Sequence, residues 1–453
     1  MSKKKQKEKP TDVIIVGAGI AGCVLAFHLS NARFKVKVFE KSERKDLGHD
    51  WCDSVEKKAF AYASIPPPKG KEKKKEVDHL VILSPNFNKV IHLDYYDYWI
   101  VDRKLYHERL VTMAEKAGAE FNFGVEIVEP MGRGQWVVGV KTNSDKIENA
   151  RIVIDCSGKE RILARNIEIL DLNLELKKKD KVKAYRELHE VIEGDINWEN
   201  IPVEKNLLYY RYGYEKGYSR LNFEDDNHLD IGAGVGKGYS DRSPKAIVND
   251  FVNSKKNVDN KILRGGGGDI ILRRPTTMVW YGFLAVGEAA CQVVPTNGCG
   301  VGPAMIGAKI AAEVVADSLR RKEVSIDSLW KYQVRFMEER GRDHAALDML
   351  RRQVLTFNEE EYSFLIEKGI LSKQDFKNVI HAKYYKIGLW KMFLSAFKGI
   401  RRIKLMLKMS KVASRTNRIY KHYKKMPKEY ESRKYLSWLL GHMSLFEEIE
   451  KES

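Results

Sequence analysis

The stretch Asp12–Glu40, DVIIVGAGIAGCVLAFHLSNARFKVKVFE, leaves the chain few choices of fold. Asp12–Val16 is an apolar run of the right length for a buried parallel strand, and Cys23–Leu29 reads as an apolar helix. Between them Gly17, Gly19 and Gly22 stand at G-x-G-x-x-G spacing, with the small residues Ala18 and Ala21 completing the turn. The first glycine permits a tight turn, the second lets backbone approach a pyrophosphate, and the third lets helix pack on strand. The helix start adds free N–H groups and the positive end of a dipole. A second strand, Lys35–Phe39, ends on Glu40, where a carboxylate grips ribose hydroxyls. A lone glycine triplet would say little; strand, turn, helix, strand and acid together predict a dinucleotide-binding unit.

A second stretch, Tyr281–Ala312, belongs to the same site. The apolar strand Phe283–Val286 runs into Glu288, then Pro295-x-x-Gly298-x-Gly300, and a small-residue helix begins near Val301. Glu288 would meet the ribityl hydroxyls of a flavin. The amides of Gly298–Gly302 would face its pyrophosphate and ring edge, where a Cβ would collide. Nearly three hundred residues separate the two stretches, which excludes a compact simple dehydrogenase domain. Between them, Val101–Ala117 is expected as a helix with Asp102 as N-cap, and Arg103 in its first turn either reaches the pyrophosphate or is solvated. The strand Ile152–Ile154 leads into Asp155-Cys156-Ser157-Gly158, small enough to pass close to a ligand. Cys52 is either a half-buried loop cysteine or a contact beside the cofactor ring.

The remainder divides by character. Lys159–Arg274 has few long helical patterns and several β-like runs: Leu207–Tyr214, Tyr218–Phe223 and His228–Ala233. An antiparallel sheet is expected, with His79–Leu93 paired around Pro85-Asn86. Alternation would place Tyr210, Tyr212 and Tyr214 on one face, either walling an apolar tunnel over the flavin or simply packing. Tyr95, Tyr96, Tyr98 and Trp99 form another aromatic group, either lining an apolar cavity or packing in the core. Lys69–Glu76, KGKEKKKE, reads as an exposed mobile loop, Gly265–Gly268 as a flexible turn, and Gly232–Gly238 lacks the helix a second nucleotide site needs. The domains expected are a discontinuous Rossmann-like FAD domain (1–60, 100–160 and 276–325), a substrate domain (61–99 and 161–275) and a helical C-terminal region (326–453). The fold class is thus an α/β flavoprotein with an added antiparallel sheet.

These two motifs, with Arg103 and Asp155–Gly158 between them, resemble the flavoprotein group of aromatic-ring hydroxylases, flavin halogenases and geranylgeranyl reductases. Within it the chain is similar to the archaeal geranylgeranyl reductases, which saturate the isoprenoid chains of ether lipids. The marks are the VDRKLYHERL helix, a cysteine after the first βαβ unit (Cys52), and Tyr210-Arg211-Tyr212-Gly213-Tyr214-Glu215 followed by His228–Val235. The family's Tyr-x-Trp-x-Phe-Pro has lost Trp, Phe and Pro here, and Asp53-Ser54-Val55 replaces its glycine-rich continuation after the cysteine. The resemblance implies FAD contacts from Gly17, Ala18, Gly19, Ala21, Gly22 and Glu40, from Cys52, Asp53, Arg103 and Val125, and from Ser157 and Gly158. On the second motif it implies Glu288, Gly298, Gly300, Val301 and Gly302. It also implies substrate contacts from Tyr210, Tyr212 and Tyr214, with Cys52 and Tyr212 as candidate catalytic residues, and no metal. Reduction of the flavin by an external donor, ferredoxin or NAD(P)H, is expected. A flavin monooxygenase and a membrane-bound electron-transfer flavoprotein are the alternatives.

Charge points to a partner. The 453 residues carry a formal net charge of +18, which calls for an acidic surface. The segment 376–428 has sixteen Lys or Arg and no Asp or Glu, interleaved with Trp390, Met392, Phe393, Phe397, Ile403 and Leu407. One-signed charge with such apolar content fits an anionic membrane surface, met peripherally, better than a solvated face. No nucleic-acid-reading motif accompanies it. Five scattered cysteines suggest a reducing, cytoplasmic setting, and MSKKKQKEKP reads as a solvated tail rather than a signal peptide.

Overall fold

The computed structural model describes residues 10–169, 175–385 and 402–451. Two sheets organise it. The first has six strands in the order Val279–Trp280, Phe283–Ala285, Ile152–Asp155, Val13–Val16, Val36–Glu40 and Glu120–Phe123, parallel except at the pair Val279–Trp280/Phe283–Ala285. Strands this continuously apolar must be covered on both faces. The helices Ile20–Asn31 and Val301–Arg320 pack together within this core. Val13–Val16 and Ile152–Asp155 are fully buried, and both strands end at the same edge, beside the glycine turn.

The second sheet has eight strands in the order Arg264–Ile271, Lys181–Glu190, His228–Gly236, Gly217–Phe223, Leu208–Tyr212, Lys73–Leu83, Val90–Asp102 and Cys52–Glu56. All neighbours are antiparallel except Leu208–Tyr212 beside Lys73–Leu83. Residues 52–56, at the end of the expected first flavin segment, therefore form an edge strand of the large sheet. A three-stranded sheet, Ile127–Arg133, Trp136–Thr142 and Ile147–Asn149, stands apart.

Two expectations are overturned. Lys69–Glu76 is not a loop: Gly70–Glu72 makes one short turn and the strand begins at Lys73, pairing with Trp99–Val101. Its charges are engaged, since Glu72 is buried against Arg109 and Lys75 Nζ donates to the Phe223 carbonyl at 2.5 Å. Gly265–Gly268 is not a turn but part of the strand Arg264–Ile271. A Cβ at Gly267 would overlap the Ala184 carbonyl, and one at Gly266 would touch the Trp51 ring at 3.4 Å.

After residue 325 the described residues are mainly helical: Ile326–Phe336, a π turn Met337–Gly341, then Arg342–Val354, Glu359–Glu367, Lys373–Ile380, Ile403–Tyr423 and Ser432–Glu450. No helix among the described residues is long and apolar enough to cross a membrane. Trp390, Met392, Phe393 and Phe397 of the basic segment lie outside the described residues.

Candidate active site

The glycine turn shows which of its glycines answer to the protein and which leave room for a ligand. Gly17 has φ +99°, and a Cβ there would overlap the Cys156 carbonyl; at Gly22 it would overlap the Gly17 carbonyl. At Gly19 a Cβ would meet nothing within 4 Å. The close approaches bind the turn to the neighbouring strand and helix, while the open side of Gly19 is the cradle a pyrophosphate needs. Glu40 ends its strand with both carboxylate oxygens engaged, accepting from Ala18 N at 2.8 Å and Ser42 N at 2.9 Å. Val125 N donates to the Glu40 carbonyl, and His107 hydrogen-bonds the Ala18 carbonyl from below.

The second motif closes on the first. A Cβ at Gly287 would lie 3.1 Å from that of Ala21, so the two turns touch. Glu288 accepts from Ile271 N at 3.0 Å, and burial raises its carboxyl above the usual range. Asp155, fully buried, accepts from Ser157 N and Oγ and from Leu163 N and Ala164 N, which fixes the Ser157–Gly158 turn, and a Cβ at Gly158 would lie 4.0 Å from Glu288 Oε2. Gly298, with φ +71°, and Gly300 precede Val301, the first residue of the helix, and a Cβ at either would meet only a side-chain carbon of Ile270 or Val293. Gly302 differs: a Cβ there would press on Glu56 Oε1 at 2.8 Å, and Glu56 is held by Arg340 at 3.0 and 3.1 Å. Its missing side chain serves that buried ion pair.

Arg103 begins the helix Arg103–Lys116, whose N-cap Asp102 accepts from Leu105 N at 3.0 Å. Its Nη1 donates to Asp53 at 2.5 Å, while its buried Nε has no hydrogen-bond partner among the described residues. An orphaned guanidinium nitrogen, an open glycine and two helix starts fit a flavin adenine dinucleotide.

Cys52 is fully placed. It is buried on the edge strand in one apolar cluster with Tyr96 and Tyr98, against which Tyr210 and Tyr212 pack. Burial pushes its thiol up to about 12, so it is neutral at physiological pH. Tyr210 and Tyr212 stack at 5.3 Å, and Tyr218, opposite Tyr212 in the sheet, joins them. Burial raises all three phenols as well. Tyr214 is not on this face. Gly213, at φ +83°, turns the chain out of the strand, and Tyr214 stacks with Arg211 and packs against the cluster behind the sheet.

Over the tyrosine face lies a cavity of about 520 Å³. Its floor includes Tyr212, Tyr218, Gly234 and Gly236, one wall is the Pro295–Gly298 loop, and its roof is Leu347, Leu350, Tyr362 and Phe376. The glycines clear this floor: a Cβ at Gly234 would collide with the Tyr218 ring at 2.5 Å. The far rim holds Ile403, Leu407 and Tyr385, exposed by 65%, 62% and 63%. Sequence reasoning missed Tyr218 and the helical roof; the Gly213/Gly217 hairpin signal would have found Tyr218, whereas nothing local marks the roof. It also missed Arg186, Arg220 and Asp230 on the same face, the carboxylate buried and the two guanidiniums half-buried.

Comparison with known proteins follows these parts. The family model for an NAD(P)-binding Rossmann-like domain matches residues 15–53. The chain is 24% identical, over 94% of its length and 95% of the relative's, to the digeranylgeranylglycerophospholipid reductase of Sulfolobus acidocaldarius. It is 26% identical to reductase 1 of that name from Methanothermobacter thermautotrophicus, over 79% of this chain and 89% of the other. Among solved structures, a geranylgeranyl bacteriochlorophyll reductase-like protein of Thermoplasma acidophilum superposes with a TM-score of 0.73 at 16% identity, covering 89% of this chain and 99% of that one. The flavin-dependent brominase Bmp2 follows at 0.64 and 14%, covering 87% and 100%. These likenesses show the fold to be that of the FAD-dependent reductases and halogenases.

Proposed function

We propose that this chain is an FAD-dependent reductase that saturates carbon–carbon double bonds in the geranylgeranyl chains of isoprenoid lipids. The observation that carries the reading is the apolar cavity, which runs from the Gly298 loop, across half-buried neutral tyrosines, to an exposed apolar rim. The names of the relatives agree with it. Bound FAD, reduced by ferredoxin or NAD(P)H, would supply the reducing equivalents. The chain's own residues do the rest: Arg103 and the Gly19 turn hold the pyrophosphate, Glu40 the ribose and Glu288 the ribityl chain. The tyrosine face holds an isoprenoid segment against the ring and keeps water out. Cys52 and the Tyr212 group supply neutral hydrogen-bond donors at that face.

The rim supports a peripheral contact with an anionic membrane. Ile403 and Leu407 lie on the outer side of the helix Ile403–Tyr423, with Lys404, Lys408 and Lys411 between and after them. The basic segment is partly neutralised, since Lys383, Arg402, Lys408, Arg418 and Lys428 meet acids from other parts of the chain. A tail entering here would reach the Gly298 loop without crossing water. The test is mass spectrometry of a geranylgeranylated glycerophospholipid after incubation with the holoprotein and a chemical reductant. Products heavier by two hydrogens per double bond support the reading; unchanged or oxygenated lipid defeats it.

A further inference from the structure

The Pro295–Gly298 loop stands between two sites: it is one wall of the cavity, and the reading above gives its glycine amides to the flavin. Asn297 uses both ends of its side-chain amide there. Its Oδ1 accepts from Cys299 N at 3.0 Å and shapes the turn, which Val294 N closes on the Cys299 carbonyl at 3.0 Å. Its Nδ2 reaches 83 residues along the chain and donates to the Ile380 carbonyl at 3.2 Å. The same carbonyl accepts from Tyr98 Oη at 3.2 Å, and Tyr98 stacks on Tyr96 at 3.9 Å in the cluster that holds Cys52. One oxygen thus ties the second flavin motif, the large sheet and the C-terminal helices together.

Ile380 ends the eight-residue helix Lys373–Ile380, whose buried side chains are Phe376 and Ile380. A helix this short is marginal on its own in water and stands where its contacts put it. On its outer side it has the exposed ion pair of Lys373 with Asp94 at 2.7 Å, and such pairs contribute little. On its inner side Phe376, Val379 and Ile380 line the cavity. Val379 and Ala382 also share one small apolar cluster with Val294 and Cys299 of the loop and Leu347 and Leu350 of the roof. The two hydrogen bonds to the Ile380 carbonyl therefore fix where the helix stands against the loop. An isoprenoid chain in the cavity adds apolar contacts to the inner side of this helix. A flavin adds contacts to the glycine amides of the loop, so each ligand stabilises one half of a joint that Asn297 holds closed.

We infer that Asn297 is a positioning residue through which FAD and the isoprenoid chain bind cooperatively, each ligand tightening the other. The inference rests on the FAD-reductase reading. A chain in the cavity favours the closed joint, and the closed joint holds the loop in the shape that receives the flavin. Linkage makes the effect reciprocal, so the holoprotein holds the lipid more tightly than the apoprotein does.

Apoprotein is titrated with oxidised FAD, with and without a geranylgeranylated glycerophospholipid dispersed in neutral detergent. The ratio of the two affinities is the coupling, and oxidised flavin leaves the lipid unreduced throughout. The parent should bind FAD about fivefold more tightly with lipid than without it. Tyr98→Phe removes one donor to the Ile380 carbonyl and keeps the ring. Asn297→Asp keeps the acceptor for Cys299 N and sets a repelling oxygen against the Ile380 carbonyl. Both variants should bring the ratio below about twofold. The charge that Asn297→Asp adds acts in both titrations and cancels from their ratio. Lys373→Gln breaks the outer ion pair of the same helix and should keep the parent's ratio. A parent ratio near one, or a parental ratio in both Tyr98→Phe and Asn297→Asp, overturns the inference and leaves the FAD-reductase reading standing. An equal loss in Lys373→Gln also overturns it, because the cause would then be a loosened helix rather than the shared carbonyl. A parent chain that binds no FAD, or no lipid, overturns this inference together with the reading beneath it.

Discussion

Replacing Gly19 by alanine separates ligand space from protein space. Gly19 has φ −66° and ψ −175°, an extended conformation that alanine adopts without strain, and its added Cβ would meet nothing within 4 Å. The apoprotein therefore loses no contact, and the stiffer unfolded chain should make it more stable by roughly 0.4–1 kcal/mol. With FAD the sign reverses. A methyl group on the open side of the turn pushes the pyrophosphate away from the helix start, where each hydrogen bond to a charged group contributes about 1.5–3 kcal/mol. Weakening one or two of them should cost about 2–4 kcal/mol, which is roughly a thirtyfold to 700-fold loss of affinity. Titration of apoprotein with FAD, followed by flavin fluorescence, reads the affinity, and thermal unfolding without FAD reads the stability. Gly22→Ala is the contrast, because its Cβ would overlap the Gly17 carbonyl and should destabilise the apoprotein itself. If Gly19→Ala binds FAD as tightly as the parent, the turn is not the cofactor's cradle.

Leu350→Trp should fill the roof of the cavity and reduce turnover of long-chain lipid at least tenfold, while absorbance shows full FAD occupancy; equal turnover would put the substrate elsewhere. Cys52→Ala should slow alkene saturation and leave FAD bound, and unchanged turnover would reduce Cys52 to a packing residue. Combining Leu407→Asp with Lys404→Glu should weaken sedimentation with anionic vesicles several-fold, since one basic residue near such a surface contributes about 1 kcal/mol. High salt should release part of the parent, and undiminished binding by the double variant would clear this rim of a membrane role.

What could be read from the sequence was what lies close together along the chain. Strand, glycine turn, helix and Glu40 fall within thirty residues, and their geometry follows from local rules. The Pro295–Gly302 motif was legible for the same reason, although Gly302 turns out to serve the Glu56–Arg340 pair. Lys69–Glu76 misled because dense charge resembles a solvated loop, and only the partner strand reveals that Lys73–Glu76 are paired. Gly265–Gly268 misled because glycine runs favour turns, whereas here they admit Trp51 and a close neighbouring strand. The row Arg186–Asp230–Arg220 depends on the register of strands whose members are up to 44 residues apart. A single residue of slip would turn all three to the other face, and no local signal states that register. The cavity roof is further still from the sequence, since it needs the docking of helices more than a hundred residues beyond the tyrosines they cover.

The central claim is that reduced flavin in this chain passes its reducing equivalents to an isolated double bond at the tyrosine face. Anaerobic single-turnover spectroscopy addresses it directly: the holoprotein is reduced, freed of excess reductant and mixed with geranylgeranylated lipid. The account expects the oxidised flavin spectrum to return with lipid alone, in step with the appearance of saturated product. A flavin that stays reduced until oxygen is admitted, and then yields an oxygenated lipid, would contradict it.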